Sequence, residues 1–211
     1  IPNSWISASK KENIDVSFKD LGNQTFGFNS PLDFSGKTII IDPVPTRVWG
    51  SHVGGTGDDY GRIRTDIQNT GYLFGSTTSY NNFASSGTYQ QNMAGGVDAF
   101  LIKVTKNGQK LWGTYYGFGM TDYFMDVDFD ENFNIYAGGA VQRAAYNENI
   151  VLIKFNNNGS LVFQKEFISS RKDKLYTVSY NQNQVYIAGD AFSSDFPTVN
   201  AMQPTKSTPI G

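Results

Sequence analysis

Hydrophobic positions in this chain fall in short runs, each closed by Gly, Asn or Asp. Tyr72-Leu-Phe-Gly75, Phe100-Leu-Ile-Lys-Val104, Tyr136-Ala-Gly-Gly139, Val151-Leu-Ile-Lys-Phe155 and Tyr186-Ile-Ala-Gly189 are the clearest. They are rich in β-branched and aromatic side chains, which suit a pleated, half-buried surface. No window sustains the i, i+3, i+4, i+7 spacing of an amphipathic helix. Lys106-Asn107-Gly108-Gln109 and Asn156-Asn157-Asn158-Gly159-Ser160 supply turns whose residues tolerate positive φ. Nearer the start, Ile14-Asp-Val-Ser-Phe-Lys19 and Thr25-Phe-Gly-Phe28 alternate apolar and polar, which predicts a hairpin across Asp20-Leu-Gly-Asn23. The pattern is that of an all-β protein.

The runs also recur in a fixed order. Trp49-Gly-Ser-His-Val-Gly-Gly-Thr-Gly-Asp-Asp-Tyr60 matches Trp112-Gly-Thr-Tyr-Tyr-Gly-Phe-Gly-Met-Thr-Asp-Tyr123, and more weakly the stretch from Phe163 to Asp173. Trp49, Trp112 and Phe163 therefore correspond, as do Asp59, Asp122 and Asp173. After each aspartate comes a tyrosine run ending in glycine. The first unit is longer because residues 79–96 form a polar insertion rich in Gly, Ser and Asn. Four strands per unit of roughly fifty residues is the arithmetic of a propeller blade. An irregular sandwich is the competitor, but it gives no reason for Trp, Asp, Tyr and Gly to return in order. A third unit built like the first would place its Phe-Leu-Ile-Lys run beyond residue 211, so a piece of a longer protein is expected.

With these motifs the chain resembles the bacterial seven-bladed β-propeller repeat family. The residues that carry the likeness are Trp112-Gly-Thr-Tyr-Tyr-Gly117, Asp122-Tyr123, Asn134-Ile-Tyr-Ala-Gly-Gly139 and Leu152-Ile-Lys-Phe-Asn-Asn-Asn-Gly-Ser160. The lead-in from Thr88 to Phe100, Ser193-Ser-Asp-Phe-Pro-Thr198 and Asn200-Ala-Met-Gln203 fit it too. The third unit departs from the pattern, with Ile168-Ser-Ser-Arg171 in place of a Gly-Gly pair and Phe163 in place of Trp. The resemblance implies four-stranded antiparallel blades in a partial ring over residues 46–211, two complete and a third truncated. A short N-terminal β segment, residues 1–45, precedes them. Thr38-Ile-Ile-Ile-Asp-Pro43 stands where a Leu-Ile-Lys strand would otherwise lie, and is expected to complete the first or last blade. The resemblance further implies a secreted or surface-attached protein on the outer-membrane exterior, of the kind exported by type IX secretion. Such repeats look like scaffold or adhesion modules, and no catalytic residue belongs to the repeat.

Composition narrows the picture. The 211 residues are 39% hydrophobic and 15% aromatic, with 22 glycines, which excludes a disordered, coiled-coil or collagen-like chain. A formal charge of −2 gives no general attraction to phosphate backbones, so no nucleic-acid partner is expected. No apolar run is long enough to span a bilayer, and no membrane insertion is expected. The absence of cysteine rules out disulfides and thiolate chemistry, and a single histidine, His52, nearly rules out a multi-histidine zinc site.

Candidate chemistry is sparse. Asp59, Asp122 and Asp173 could hold calcium, but their recurrence in turns favours acceptance of backbone N–H groups. Asp126, Asp128 and Asp130 with Glu131 could serve as a glycosidase acid/base pair, though a satisfied polar strand face is the simpler reading. His52, aligned with Tyr115, reads as half-buried packing. Tyr72, Tyr136 and Tyr186, with the tryptophans, read as core between sheets rather than sugar platforms, and Lys103 and Lys154 are expected to snorkel. The insertion is the binding candidate, through Tyr80, Asn81, Asn82, Phe83 and Tyr89, because variable loops on rigid scaffolds carry recognition. A plain extended connection is the alternative. The expected function is a non-enzymatic surface scaffold or adhesion module that binds a protein or glycan, or the remaining blades of the same protein. It needs no metal or cofactor. The alternatives are a carbohydrate-active enzyme using Asp126 and Asp128, and a cargo of a surface secretion apparatus.

Overall fold

A computed structural model describes residues 3–6, 12–23, 25–31, 36, 38–42, 49–145 and 147–203. Every regular element in it is a β-strand, and all paired strands are antiparallel. Among the described residues there is no helix, and so none long and apolar enough to cross a membrane. The chain divides into two compact units, Ile1–Val48 and Trp49–Gly211. The border expected near residues 45 and 46, and the turn-rich run 204–211, lie outside the described residues.

In the first unit, β1 (Asn3–Ile6) is flanked by β2 (Glu12–Ile14) and β5 (Ile39–Asp42). Ile6, Ile14 and Val16 are buried together, with Ile39 and Ile41 packed on them. The alternation of apolar and polar residues noted above gives a separate ribbon, β3 (Ser17–Asp20) and β4 (Phe26–Asn29). Its turn places Gly22 and Asn23 at positive φ. The expectation that residues 38–43 complete a blade is corrected. The described part of that run pairs with β1, Trp5 opposite Ile40, because Ile39 and Ile41 close the apolar side of this small sheet.

The second unit contains two four-stranded sheets and a hairpin. The first sheet is β6 (Asp59–Thr65), β7 (Gly71–Thr77), β8 (Asp98–Val104) and β9 (Lys110–Tyr116), in chain order. The second is β10 (Asp122–Phe129), β11 (Ile135–Ala144), β12 (Asn147–Phe155) and β13 (Leu161–Phe167). The hairpin is β14 (Lys174–Asn181) and β15 (Gln184–Asp190).

One turn design closes the β6–β7, β8–β9, β10–β11 and β12–β13 hairpins. Asp66, Thr105, Asp130 and Asn156 each use a side-chain oxygen to accept the N–H groups two and four residues on. The last loop residue in each, Asn69, Gly108, Phe133 or Gly159, sits at positive φ, as a three-residue hairpin loop demands. Gly and Asn reach that region cheaply; Phe133 does not.

The sheets stack face to face. Tyr72, Phe74, Leu101 and Trp112 of the first meet Val127, Ile135, Ala137, Ile153 and Phe155 of the second in one buried cluster. Tyr136 and Ile150, on the opposite face of the second sheet, pack with Leu175 and Val178 of the hairpin. One contact recurs, an indole laid on the glycine of a hairpin turn. The Trp112 indole lies directly on Gly159 in the β12–β13 turn and donates Nε1–H to the Asn157 carbonyl at 2.9 Å. Trp49 does the same to Gly108 and the Lys106 carbonyl, at 2.7 Å. The recurring glycines Gly75, Gly139 and Gly189 have their own cause. A Cβ on any of them would overlap the carbonyl oxygen of Tyr60, Tyr123 or Lys174 on the neighbouring strand.

Candidate binding surface

The insertion is built into the first sheet rather than projecting from it. Ser85 N–H donates to the Gly113 carbonyl, Tyr115 N–H to the Gln90 carbonyl, and Thr88 Oγ1–H to Gly113. Phe83 is 1% exposed and packs on Phe100, with ring centroids 4.6 Å apart, and on Tyr115. These rings fill the face of the first sheet turned away from the second. Phe83 is therefore a core residue, which corrects its place among the binding candidates. Burying an aromatic ring outweighs what a polar loop composition suggests.

The other four candidates divide. Tyr89 is 39% exposed, stacked on Tyr116 at 5.9 Å and edge-on to Phe155. Asn81 presses its side chain against Gly55, and its Oδ1 is buried without a hydrogen-bond partner. Asn82 is exposed, in the left-handed region, and receives the Lys110 ammonium on its carbonyl at 2.9 Å. Tyr80 is 73% exposed. The structure thus leaves Tyr80, Asn82 and part of the Tyr89 ring at the surface, with Phe83 buried beneath.

The recurring aspartates hold strand entries, as turn chemistry suggested. Asp59 accepts the Gly55 N–H and the Thr77 hydroxyl; Asp122 accepts the Phe118 and Gln142 N–H groups. Asp173 accepts those of Phe192 and Ser193. No group of three or more His, Asp or Glu side chains converges as a metal site among the described residues.

The acidic run on β10 is tied up in bonds between sheets. Arg64 of β6 grips Asp126 with two bonds, Nε to Oδ1 at 3.0 Å and Nη2 to Oδ2 at 3.1 Å. On its other side Asp126 receives the Thr177 hydroxyl at 2.8 Å and the Val178 N–H at 3.0 Å. Burial pushes its carboxyl upward, but Arg64, Val178 and Thr177 together hold it below the usual carboxylate range. Asp128 accepts the Tyr180 N–H at 2.6 Å. Asp130 lies in the turn, where Asn134 and the Lys154 ammonium, 2.9 Å away, hold it. Such a set links β6, β10 and β14.

Two lysines are also corrected. Lys103 is buried over the Tyr72 ring and bonded to Asn157, and Lys154 donates to the Tyr136 hydroxyl at 2.8 Å as well as to Asp130. They are paired rather than snorkelling, Lys103 with Asn157 of the second sheet and Lys154 with Tyr136 and Asp130 of its own sheet. Tyr72 and Tyr136 are buried as expected, while Tyr186 is 55% exposed. His52 is exposed, not half-buried packing. Sequence reasoning passed over Arg64 and Asp98. The arginine's opposite charge to Asp126 was a signal, but 62 positions separate them.

No protein-family model matches the chain, and no curated protein matches it.

Proposed function

We propose that this chain is a non-enzymatic scaffold or adhesion module made of β-propeller blades of the bacterial seven-bladed repeat type. It is displayed outside the cell and holds binding loops for a protein or glycan. The observation that carries this reading is the complete engagement of Asp126. The carboxylate most suggestive of chemistry is bound on both oxygens by groups from the two neighbouring sheets, and its affinity for protons is lowered. The tryptophan joints support the blade reading, since Trp112 fastens the first sheet to the second and Trp49 makes the same contact with the β8–β9 turn of the first sheet. The exposed ring of Tyr80, standing on a buried Phe83, suits recognition on a rigid base.

The test presents the chain to glycan and protein arrays and to a glycan hydrolysis panel. The expected result is capture without turnover, with Tyr80→Ser weakening capture about tenfold while leaving the unfolding curve unchanged. Hydrolysis abolished by Asp128→Asn would overturn the reading, and so would capture indifferent to Tyr80.

A further inference from the structure

Lys103, in β8, is a buried amine. It is 8% exposed and lies over the ring of Tyr72, which belongs to the cluster packed between the first two sheets. Asp66, the carboxylate whose charge acts on it, has its own oxygens bonded elsewhere, to the Gln68 and Thr70 N–H groups and the Tyr72 hydroxyl. Burial holds the amine below the usual lysine value, against the pull of Asp66. A larger share of it is therefore neutral, the form in which a lysine is a nucleophile.

The group that Nζ touches is the side-chain Oδ1 of Asn157, in the β12–β13 turn of the second sheet. That oxygen is one bond from Cγ, the carbon at which an amide is attacked. The main chain of Asn157 is clamped as well. Its carbonyl oxygen accepts the Trp112 indole N–H at 2.9 Å, and Nζ lies 3.5 Å from the same oxygen. Asn156 fixes the turn itself, its Oδ1 accepting the N–H groups of Asn158 and Ser160. Asn157 is exposed, so a small leaving molecule has a way out. An amine and a carboxamide from different sheets are thus held in contact, the arrangement in which an otherwise slow reaction gains most.

We propose that Lys103 and Asn157 are a modification site, at which the chain forms an isopeptide bond between its first and second sheets. The neutral amine adds to Cγ, with the negative charge of Asp66 favouring the positive nitrogen of the addition intermediate. The Nζ–Cγ bond forms and the Cγ–Nδ2 bond breaks. One proton passes from Nζ to the departing nitrogen, which leaves as ammonia, and the balance needs no oxidant or second substrate. The product makes the stack of two sheets covalent in a chain that has no cysteine to do so. It goes beyond the scaffold reading and does not depend on it.

The experiment is intact-mass spectrometry of the full chain, denatured after purification in the folded state, with sequencing of its tryptic peptides. The expected mass is that of the sequence less one ammonia. A branched peptide should join Lys103 to Asn157, with no cleavage after Lys103. Lys103→Arg and Asn157→Ala should each restore the full mass, while Lys154→Arg should keep the loss. The unfolding curve of Lys103→Arg, which preserves the charge and the Trp112 joint, checks that the variant folds. A full sequence mass in the unaltered chain would overturn the proposal. An ammonia loss that persists in Lys103→Arg would overturn it too, by placing the loss at a succinimide of Asn158-Gly159.

Discussion

The two seams of the second unit share a backbone plan and differ in the charge set into it. At the first, Asp98 and Asp122 are both fully buried and face one another across Gly117. A Cβ on that glycine would lie 2.6 Å from Asp98 Oδ1 and 2.7 Å from Asp122 Oδ2. Asp98 Oδ2 takes the Gln90 amide and the Ala94 N–H, while Oδ1 has no partner. At the second seam the strand position of Asp98 is held by Asn149, whose amide donates to Glu166 and whose oxygen accepts the Ser169 N–H. The aspartates then respond in opposite senses. Burial, with the negative charge of Asp98, pushes Asp122 up to about 6, against the Phe118 and Gln142 N–H groups and the Arg143 guanidinium. Burial also acts on Asp173, but the Ser169 and Ser193 hydroxyls and the Ser193 and Phe192 amides outweigh it and hold it below its usual value. One carboxylate exchanged for an amide separates a strained seam from a satisfied one.

The largest effect tests the tryptophan joint, which Trp112 makes across the first seam and Trp49 makes with the β8–β9 turn. Trp112 is 8% exposed and Trp49 is 41% exposed, although both lie on a turn glycine with the same indole hydrogen bond. Trp112→Ala should cost about 4 kcal/mol in denaturant unfolding, and Trp49→Ala only about 1–2 kcal/mol because less apolar surface leaves water there. Equal losses would mean that the hydrogen bond, not burial, dominates the joint.

Next is the charge itself. A carboxyl raised in the folded state favours folding at acid pH, so the Asp122 contribution is lost as pH rises from about 4 to about 6. Asp173, depressed, contributes above its ordinary pKa and loses that contribution as pH falls. Arg143 and its partner Glu166 also face this region, as does Tyr116. Asp98→Asn copies the second seam. It should raise stability by about 1 kcal/mol at pH 7.5 and hardly at all at pH 4.5, read from unfolding curves at both. A gain equal at the two pH values would show that packing, rather than charge, separates the seams.

The smallest effect lies in the turns. Phe133 occupies the left-handed region that Asn69 occupies in the equivalent turn of the first sheet. Phe133→Asn should stabilise by about 0.5 kcal/mol in thermal unfolding, the relief of backbone strain being offset in part by lost contact of the ring.

Much of this architecture was legible in the residues. Runs such as Tyr72-Leu-Phe-Gly75 announced strands because burial of alternate side chains imposes a period of two. Lys106-Asn-Gly-Gln109 and Asn156-Asn-Asn-Gly-Ser160 announced turns because Asn and Gly reach positive φ, and Asn side chains reach local N–H groups, without help from the rest of the fold. The candidate surface was less legible. Phe83, in a stretch of small polar residues, gave no sign that Phe100 and Tyr115 would receive it, and Tyr89 none that Tyr116 would. Residues 38–43 read as another blade strand, yet their pairing with β1 depends on which edges meet, something an apolar run does not encode.

The sequence by itself therefore determined strand identity, the turn designs and the recurrence of the unit, since these depend on interactions within a few residues. Tertiary structure alone decided which carboxylates are partnered, which lysines are buried and which face of the insertion is solvent. Arg64 and Asp126, or Asp98 and Asp122, acquire their electrostatics only when one sheet is laid on another, because desolvation and charge proximity are properties of the stack and not of the strand.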